Sequence, residues 1–302
     1  MRIDYVIVAY RSAGDLAGCL DSIAADAPAG SGIVVVDNAS PDESAEVAAR
    51  HPTSPRVVRS LRNLGFGGGC NLGASSSDAD AIFFINPDAR LVTGTSATLI
   101  EALDANPGIG VTAPRVVDPT GESRAASAGS EPGLRSTIGH YMLIGRLPLL
   151  GRVFRPLHLA RPERPASPDW VSGAAMLVRR DAFLEVGGFD ERIFMYMEDV
   201  DLCRRLRSSG WTVDYRPGAV VEHRIGGSQS TDQPARWFNS YFDYLRRRHG
   251  SADARAASLV AGFGLGMRAI AYRAARPANA ARVGRAARAA FRVALGRSER
   301  PA

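Results

Sequence analysis

The sequence contains no lysine, and all 37 of its basic residues are arginine. This absence excludes a lysine nucleophile and the lysine of a P-loop. Cysteine is also scarce: Cys19, Cys70 and Cys203 lie far apart and form no Cys-x-x-Cys pair. Neither a zinc site nor a disulfide framework is therefore indicated, and the pattern fits a reducing, cytosolic setting.

Long hydrophobic runs are missing as well. The apolar stretch 259–267 is far shorter than the roughly 20 residues that a bilayer crossing needs. The sequence opens on a strand-like segment and lacks the charged start, apolar stretch and small-residue cleavage site of a signal peptide. We therefore expect a cytoplasmic protein, and the basic tail described next adds the inner face of the plasma membrane as a location to test.

Acidic residues are nearly absent from the C-terminal tail. Residues 1–245 carry 24 arginines and 29 acidic residues, a net charge of −5, whereas residues 246–302 carry 13 arginines and 2 acidic residues, a net charge of +11. A nucleic-acid-binding protein more often places its basic stripe on the folded module. The tail is therefore better suited to an anionic membrane surface, and we do not expect nucleic acid as a partner.

The composition, 45% hydrophobic and 23% charged, is typical of a globular protein with a sizeable core. Apolar segments alternate with helix-like stretches, which predicts an α/β fold whose mostly parallel sheet is flanked by helices. We predict one domain over residues 1–245 and a helical, arginine- and alanine-rich appendage over 246–302. Residues 121–168 are rich in Pro, Gly, Ser and Arg and lack periodicity, which predicts a mobile lid or an acceptor-side insert.

The hydrophobic pattern also places individual elements. Strands are predicted at residues 3–10, 32–36, 57–60, 81–85, 110–117 and 212–215. Helices are predicted at 16–25, 43–50, 95–106 and 199–208, with another beginning at Asp181. The segment 66–76 is interpreted as a glycine-rich loop that leads into a helical turn.

Polar side chains follow two of the predicted strands. In open parallel sheets ligands bind beyond the carboxyl ends of the strands, which is where Asp37, Asn38 and the Asn86-Pro87-Asp88 turn are expected. Asp37 can accept hydrogen bonds from a base or ribose, and Asp88 offers a hard oxygen ligand to Mg²⁺ or Mn²⁺ on a nucleotide diphosphate. An ordinary turn is the favoured interpretation of Asp37 taken alone, and for Asp88 a strand-terminating turn is as good an explanation as a metal ligand.

The glycine-rich run 63–73 would let the backbone approach a sugar or a diphosphate closely. It lacks the Gly-x-Gly-x-x-Gly spacing of dinucleotide-binding loops. Simple flexibility is the alternative interpretation of these glycines.

Three carboxylates, Glu198, Asp199 and Asp201, stand at the start of a predicted helix. Mutual repulsion and partial burial would raise the pKa of one of them toward that of a useful general base. Helix capping explains one or two of the three. His223 follows a short apolar segment and could add a neutral imidazole to a metal site, although a lone histidine is more often structural.

Eight segments in order resemble the inverting family 2 glycosyltransferases of GT-A fold, and in particular their rhamnosyltransferase-like branch. They are VIVAYRS, VVVDNAS, NLGFGGGCNLG, INPDAR, WVSGAAMLVRR, GGFDERIF, MEDVDLCRRLRSSGW and VEHRIGGS. The resemblance spans residues 3–228. No single segment is specific, but eight in the right order are.

The resemblance implies a set of site residues. Asp199, preceded by Glu198, would be the catalytic base, and Asp88 with His223 would hold the metal. Trp170, Ser172 and Gly173 would shape the acceptor side. The nucleotide-sugar donor would be bound by Ala9, Tyr10, Asp37, Asn38, Asn63, Gly65, Asn71, Asn86 and Asp88. Asn86 takes the first position of the usual Asp-x-Asp metal motif, a departure that this branch tolerates.

The resemblance also implies a reaction. A sugar, with rhamnose favoured, would pass from a dTDP or UDP donor to a hydroxyl of a glycan or polyprenyl-linked acceptor in cell-envelope polysaccharide synthesis. One alternative is a nucleotidyltransferase, but residues 9–12 lack the glycine-rich start ending in Arg or Lys that such an enzyme would show. The other is a non-catalytic protein that binds a nucleotide sugar or a lipid, which would not need Glu198 and Asp199.

The tail offers a further hypothesis. On a helix, four arginines would share one face and four apolar residues another: Arg282, Arg285, Arg288 and Arg292 against Val283, Ala287, Ala290 and Phe291. This pattern is typical of an interfacial amphipathic helix. A solvated arginine face on a helix packed against its own domain is the equal alternative, and the apolar-basic segment 141–154 is a second candidate for lipid contact.

Overall fold

The computed structural model describes residues 1–119, 127–147, 149–159, 163–224 and 233–297. The chain forms two compact units: a sheet unit of residues 1–129 and 161–228, and a helical unit of residues 130–160 and 229–302. The structure thus groups residues 130–160 with the C-terminal helices. The predicted domain boundary after residue 245 stays a prediction.

Within the described residues, eight strands of the sheet unit form one sheet in the order β3-β2-β1-β4-β9-β6-β10-β5. The strands are β1 Ile3–Ala9, β2 Gly32–Asp37, β3 Arg56–Arg59, β4 Ala81–Ile85, β5 Ala89–Leu91, β6 Ile109–Val117, β9 Ala175–Arg179 and β10 Thr212–His223, while β7 Ala128–Gly129 pairs with β8 Trp170–Val171 in a separate two-stranded sheet. Strand β9 runs antiparallel to β4 and β6, and β5 runs antiparallel to β10, whereas the other pairs are parallel. The predicted mostly parallel α/β sheet is confirmed.

Ten α-helices lie in the described residues. In the sheet unit they are α1 Leu16–Asp26, α2 Ser44–Arg50, α3 Gly65–Ala74, α4 Thr95–Ala105, α6 Arg180–Glu185 and α7 Glu198–Ser208, and in the helical unit α5 Leu134–Tyr141, α8 Gln233–His249, α9 Ser251–Ala275 and α10 Pro277–Ala294. No helix among them is long and apolar enough to span a bilayer.

The core of the sheet unit follows from the sequence pattern. Helix α1 buries four apolar residues at helical spacing, Leu16, Cys19, Leu20 and Ile23. Strand β4 is buried along its whole length, because the sheet is covered on both faces. Inside, the Tyr5 ring stacks on Phe83 with centroids 5.3 Å apart, and its hydroxyl lies 2.7 Å from Ser96 Oγ.

The glycine-rich run differs from its prediction as a loop, because residues 65–74 form helix α3. Because glycine has a low helix propensity, the helical conformation of this segment must come from its tertiary packing. A Cβ on Gly69 would lie 2.6 Å from Val8 Cγ1, and a Cβ on Gly73 would lie 2.4 Å from Val6 Cγ1. The helix therefore lies directly on strand β1 because these two positions carry no side chain.

The strands also differ from prediction in two places. The strand predicted at 212–215 continues to His223 through an irregularity between Arg216 and Val220. Strands β8 and β9 lie in the apolar stretch 170–178, which was not assigned to a strand, and residues 172–174 separate them. Both differences matter for the site, since they place His223 and Gly173 near the strand ends.

The segment 121–168 was predicted without regular structure. Its described part contains α5 and two short 3-10 turns, Ile144–Arg146 and Leu150–Arg152, while residues 120–126, 148 and 160–162 lie outside the described residues. Helix α5 is tied to α8 by a hydrogen bond between the hydroxyls of Thr137 and Tyr241. Residues 134–141 of this segment therefore pack within the helical unit, whereas Ala128–Gly129 of the same segment forms β7 in the sheet unit.

Helix α10 shows how the basic tail is arranged. It buries Ala287, Ala290 and Val293, and the Phe291 ring lies against α9, 3.0 Å from where a Cβ on Gly262 would be. The four arginines of its other face are exposed: Arg282, Arg285, Arg288 and Arg292. Helix α10 thus matches the alternative of a solvated arginine face on a helix packed within its own unit.

Candidate active site

The carboxyl ends of β1, β2 and β4 meet at one edge of the sheet. In the register of these parallel strands Ala9 lies opposite Asp37, and Ile7 lies opposite Ile85. Strand β1 lies between β2 and β4, and neighbouring strands are about 4.8 Å apart, so the carboxyl ends of β2 and β4 are about 10 Å apart.

Strand β10 brings His223 to this turn. His223 pairs with Ala89 of β5, and its Nε2 lies 2.9 Å from Asp88 Oδ1 and 3.3 Å from Asn86 Nδ2. The Arg224 amide donates to the Asp88 carbonyl at 3.2 Å. The two predicted metal ligands, Asp88 and His223, are thus in direct contact, although no group of three or more His, Cys, Asp or Glu side chains suited to a metal occurs in the described part of the chain.

Asp199 is held at the same edge by residues 172–174. The Gly173 amide donates to Asp199 Oδ2 at 2.9 Å, and the Val200 amide donates to Asp199 Oδ1 at 2.8 Å. The neighbouring Ala174 carbonyl accepts a hydrogen bond from the Asn86 amide at 2.9 Å. Asp199 and the 86–88 turn are therefore bonded to adjacent residues of one short segment.

Gly173 is required for this contact. A Cβ at this position would lie 2.9 Å from Phe66 Cε1 and 3.5 Å from Asp199 Cβ. Only glycine lets the backbone amide come close to the carboxylate without displacing the Phe66 ring.

The pKa of Asp199 is raised above its ordinary value. Partial burial is the main cause, and the hydrogen bonds from Gly173 and Val200 oppose it. A carboxylate whose pKa is raised toward neutrality accepts a proton more readily than an ordinary one. The geometry of Asp199 therefore fits a general base.

Glu198 differs from Asp199 in its surroundings. Its side chain is 6% exposed, and its Oε2 has no hydrogen-bond partner among the described residues. It lies against α3, where a Cβ on Gly67 would be 3.7 Å from Glu198 Cβ. Burial, followed by the neighbouring Asp199 charge, raises the pKa of Glu198 well above its ordinary value. Folding therefore favours the protonated form of Glu198.

Asp201, the third carboxylate, has a structural explanation. It accepts a hydrogen bond from Arg204 at 2.9 Å and one from Arg205 at 2.7 Å, both one turn further along α7. Arg205 in turn donates to the Val186 carbonyl at 2.6 Å. This network fixes α7 to the loop that follows α6.

We expect Glu198→Gln to stabilise the protein at neutral pH. A folded-state pKa above that of the unfolded chain gives stability that is full at low pH and is lost as the pH rises through the folded value. Glutamine keeps the shape of the protonated carboxyl and avoids this loss. Thermal unfolding should therefore show a higher midpoint for Glu198→Gln at pH 7, with the difference disappearing near pH 4. Glu101→Gln, on the exposed face of α4, is the control, and equal stability of Glu198→Gln and wild type at pH 7 would contradict the assignment.

Hydrogen bonds of the Asn38 side chain connect the loops that are predicted to bind the donor. Its Nδ2 donates to Asn63 Oδ1 and to the Gly65 carbonyl, both at 3.0 Å, and its Oδ1 accepts from the Leu64 amide at 2.9 Å. Asp37 Oδ1 accepts from the Ser40 amide at 3.0 Å. Asn38 and Asn63 thus hold the loop before α3 against the end of β2.

Asp42 is a further positioning residue, one that no sequence motif pointed to. It accepts hydrogen bonds from the Ser40 and Ser44 hydroxyls, both at 2.5 Å, and from the Ala13 amide at 3.1 Å. Burial opposes the shift, but these hydrogen bonds lower the pKa of Asp42 to about 2. Asp42 thereby ties the loop after β1 to the loop after β2.

The other predicted residues are placed as follows. The Tyr10 ring is exposed beside the Arg11 guanidinium, 5.6 Å from the ring centroid. Trp170 is buried and pairs with Gly129, and the Ser172 amide donates to Ser127 at 2.8 Å. Asn71 lies further along α3, where its amide exchanges two hydrogen bonds with the Phe189 backbone. Asn71 is thus not grouped with the strand-end residues.

Comparison with protein families gives matches along most of the chain. Residues 4–159 match the family model described as glycosyl transferase family 2, and residues 158–277 match the one described as glycosyl transferase family group 2. The N-acetylglucosaminyl-diphospho-decaprenol L-rhamnosyltransferase of Mycobacterium tuberculosis is 35% identical over 236 residues, which cover 72% of this chain and 75% of that protein. Rhamnosyltransferase WbbL of Escherichia coli is 40% identical over 83 residues, covering 26% of this chain and 31% of that protein.

Solved structures confirm the predicted GT-A type fold. The mannosyltransferase PcManGT of Pyrobaculum calidifontis, in complex with GDP-Man and Mn²⁺, superposes with a TM-score of 0.63 at 16% identity and covers 98% of this chain and 88% of that chain. GalNAc-T7 with UDP, GalNAc and Mn²⁺ gives a TM-score of 0.59, also at 16% identity, with 84% of this chain and 51% of that chain covered.

The comparisons favour the sugar-transferring enzyme over both alternatives, the nucleotidyltransferase and the non-catalytic binding protein. With a family model matching half of its length and a 35% identical relative over 72% of it, the chain belongs to glycosyl transferase family 2 and is a glycosyltransferase of the rhamnosyltransferase-like kind.

Proposed function

We propose that this glycosyltransferase is metal-dependent and inverting, and that it moves rhamnose from a nucleoside-diphosphate donor to a hydroxyl of a lipid-linked glycan. The observation that carries the proposal is the placement of Asp199. Its carboxylate is oriented by the Gly173 and Val200 amides beside the segment that contacts the 86–88 turn. Asp199 is thus available for proton removal, and the nearby 86–88 turn carries Asp88, whose carboxylate suits a diphosphate-bound cation.

The proposed chemistry is a single displacement. Asp199 removes the proton of the acceptor hydroxyl as its oxygen attacks the anomeric carbon, and the bond to the nucleotide diphosphate breaks on the opposite face. The configuration at that carbon is therefore inverted. The raised pKa of Asp199 supports this role, because a base works best with a pKa near the operating pH.

The residues present fit a divalent cation. Asp88 Oδ1 and His223 Nε2 face each other at 2.9 Å, and a carboxylate oxygen and an imidazole nitrogen are both accepted ligands of Mn²⁺. Two protein ligands suffice when diphosphate oxygens and water supply the others, as is common for Mg²⁺ bound with phosphates. Bound there, Mg²⁺ or Mn²⁺ would neutralise the charge that develops on the leaving diphosphate.

The relatives support the choice of substrates. The mycobacterial relative is named for transfer of L-rhamnose to a decaprenol-linked diphosphate carrying N-acetylglucosamine, and a second relative is also a rhamnosyltransferase. The solved neighbours hold UDP or GDP-mannose with Mn²⁺. We infer a dTDP- or UDP-linked donor, a polyprenyl-linked acceptor and a role in cell-envelope polysaccharide synthesis at the cytoplasmic face of the membrane.

The test is a transfer assay with purified full-length protein. It would supply dTDP-rhamnose or UDP-hexoses as donors and a prenyl-diphosphate N-acetylglucosamine as acceptor, with and without Mn²⁺. We expect transfer from dTDP-rhamnose, dependence on the metal, and a product of inverted anomeric configuration. Retained configuration would overturn the single displacement, and transfer only from another donor would overturn the choice of rhamnose.

We expect Asp88→Asn to raise the Mn²⁺ concentration for half-maximal activity at least roughly 10-fold, because even an outer partner of a metal ligand is typically worth about 10–100-fold in metal affinity. Asp15→Asn is the matched control, since this partly buried aspartate lies near the same loops and pairs with Arg224 instead. Unchanged Mn²⁺ dependence in Asp88→Asn would show that Asp88 does not hold the metal.

A further inference from the structure

Exposed apolar side chains are concentrated in the helical unit. Of eighteen large hydrophobic residues that are exposed in the described part of the chain, eleven belong to this unit, although it is much the smaller of the two. They are Leu143, Leu147, Leu149, Leu150, Val153, Leu259, Phe263, Met267, Ile270, Phe291 and Leu295. Soluble proteins scatter such residues singly, so a concentration of this kind indicates an interaction surface.

Four of these residues form a row on α9. Leu259, Phe263, Met267 and Ile270 follow each other at intervals of four, four and three residues and are 45–68% exposed. They therefore share one helix face over about 16 Å. The opposite face is used inside the unit, with Ala254, Ala257 and Ala261 fully buried. We call these four residues the α9 row.

The ends of the α9 row carry positive charge. Arg255 stands one turn before Leu259, and Arg273 stands three residues after Ile270, and both arginines are exposed. The one acidic residue of α9, Asp253, lies in its first turn, outside the row. An apolar strip with arginine at each end is suited to a boundary between hydrocarbon and charged headgroups, because arginine can extend its charged end into the polar layer.

A second group of exposed side chains follows α5. Leu147, Leu149, Leu150 and Val153 are 51%, 85%, 44% and 55% exposed. The backbone at Gly145 and Gly151 is closely packed, since a Cβ on Gly151 would lie 2.5 Å from the Gly145 carbonyl oxygen. We call residues 143–147 and 149–153 the apolar loop. It presents leucines outward because its own backbone fills its interior.

The apolar loop begins at a contact with α9. The Arg268 guanidinium donates to the His140 carbonyl at 2.9 Å, and a Cβ on Gly264 would lie 2.5 Å from the Tyr141 carbonyl oxygen. Consecutive residues of a helix are about 100° apart, so Gly264 and Arg268 lie on the side of α9 away from the row. The apolar loop is therefore anchored to the middle of α9 and does not extend the α9 row.

The net charge of the helical unit indicates which class of partner suits its exposed apolar side chains. Its residues include 18 arginines and 5 acidic residues, a net charge of +13, whereas the sheet unit has a net charge of −7. A second copy of the same strongly basic unit would be repelled. Nucleic acid offers phosphates, but it has no counterpart for a row of four apolar side chains. An anionic bilayer offers both negative headgroups and hydrocarbon.

We propose that the helical unit docks on an anionic lipid bilayer through the α9 row. The apolar face available for lipid contact lies on α9, because the apolar residues predicted for this role on α10 include alanines that pack inside the unit. The inference goes beyond the proposed function, because it rests on the helical unit alone and would hold for any acceptor.

The experiment is flotation of full-length protein with vesicles of phosphatidylcholine, with or without phosphatidylglycerol. The double variant Phe263→Ser/Ile270→Ser removes two side chains of the α9 row, at positions 57% and 68% exposed. Leu184→Ser is the matched control, because Leu184 is 56% exposed on the sheet unit. Wild type and control should float with the anionic vesicles, and the double variant should bind them at least roughly ten-fold more weakly.

Charge is tested separately with Arg255→Gln/Arg273→Gln, which should weaken binding to anionic vesicles by roughly five-fold per arginine and reduce its salt dependence. All variants should keep the wild-type unfolding midpoint and the wild-type rate of nucleotide release from the donor. That rate reports on the sheet unit, so failure of the docking surface and failure of the proposed enzyme are distinguishable.

Three results would overturn the inference. One is a wild type that does not float with anionic vesicles. Another is a double variant that floats as well as Leu184→Ser. The third is a wild-type dimer in light scattering that the double variant abolishes without any effect on flotation, which would assign the surface to a second copy.

Discussion

Asp199→Asn is expected to lower the rate of sugar transfer by roughly 10²–10⁴-fold, the usual contribution of a positioned proton acceptor. Asparagine keeps the size of the side chain, but its single oxygen can accept from only one of the Gly173 and Val200 amides, which donate to different oxygens of Asp199. The substitution therefore removes the basic group and one of the two hydrogen bonds that orient it. Steady-state kinetics should show the loss in kcat, with the KM for the donor nearly unchanged.

Two further measurements make this prediction specific. Asp104→Asn, on the exposed face of α4, should leave kcat at the wild-type value. The wild-type rate should rise with pH as Asp199 loses its proton, with a midpoint above that of an ordinary aspartate because burial raises its pKa. A transfer rate that survives in Asp199→Asn would exclude this residue as the base.

Gly65→Ala is expected to lower the free energy of unfolding by about 2–4 kcal/mol, the sum of a left-handed backbone cost and an overpacking cost. The φ angle of Gly65 is +74°, and a Cβ there would lie 2.2 Å from the Phe194 carbonyl oxygen. That carbonyl accepts a hydrogen bond from the Phe66 amide at 3.0 Å, so it cannot move freely. Chemical denaturation measures the loss.

Gly30→Ala separates the two costs. Gly30 has a φ angle of +85°, but a Cβ there would meet nothing within 4 Å. This variant should therefore lose only the backbone contribution, about 1–2 kcal/mol. Equal destabilisation of the two variants would show that the Phe194 carbonyl is not fixed against α3.

Gly65→Ala should also reduce transfer activity. Residues 194–197 lead directly into Glu198 and Asp199, and Tyr196 and Met197 have φ angles of +65° and +72°. Such conformations cost about 1–3 kcal/mol each and persist only where the surrounding contacts hold them. Displacing Phe194 would release this backbone and misplace the start of α7.

Several elements could be predicted because their signals are local. Strand β4 is a short apolar run that ends at Asn86-Pro87-Asp88, and α1 repeats its apolar residues at helical spacing. The strand-end positions of Asp37 and Asp88 follow from the same pattern, since parallel strands end at one edge. The roles of these aspartates came from the resemblance, because a turn and a ligand site look alike in sequence.

Helix α3 shows where local signals fail. Five glycines in ten residues predict a loop by propensity, yet the missing side chains are what let the helix lie on Val6 and Val8. The orientation of Asp199 by Gly173 could not be predicted either, because these residues are 26 positions apart and meet only across the break between β8 and β9.

The order of apolar and polar residues, by itself, determined the α/β class, the parallel strands and the edge at which their polar termini meet, because these depend on periodicities within about ten residues. Only the tertiary structure decided that Glu198 is buried with one carboxyl oxygen unpartnered among the described residues, that Asp201 pairs with two arginines, and that α9 rather than α10 carries the exposed apolar face. The physical reason is that burial and pairing are set by neighbours distant in sequence, and the same amphipathic helix can turn its apolar side toward its own unit or away from it.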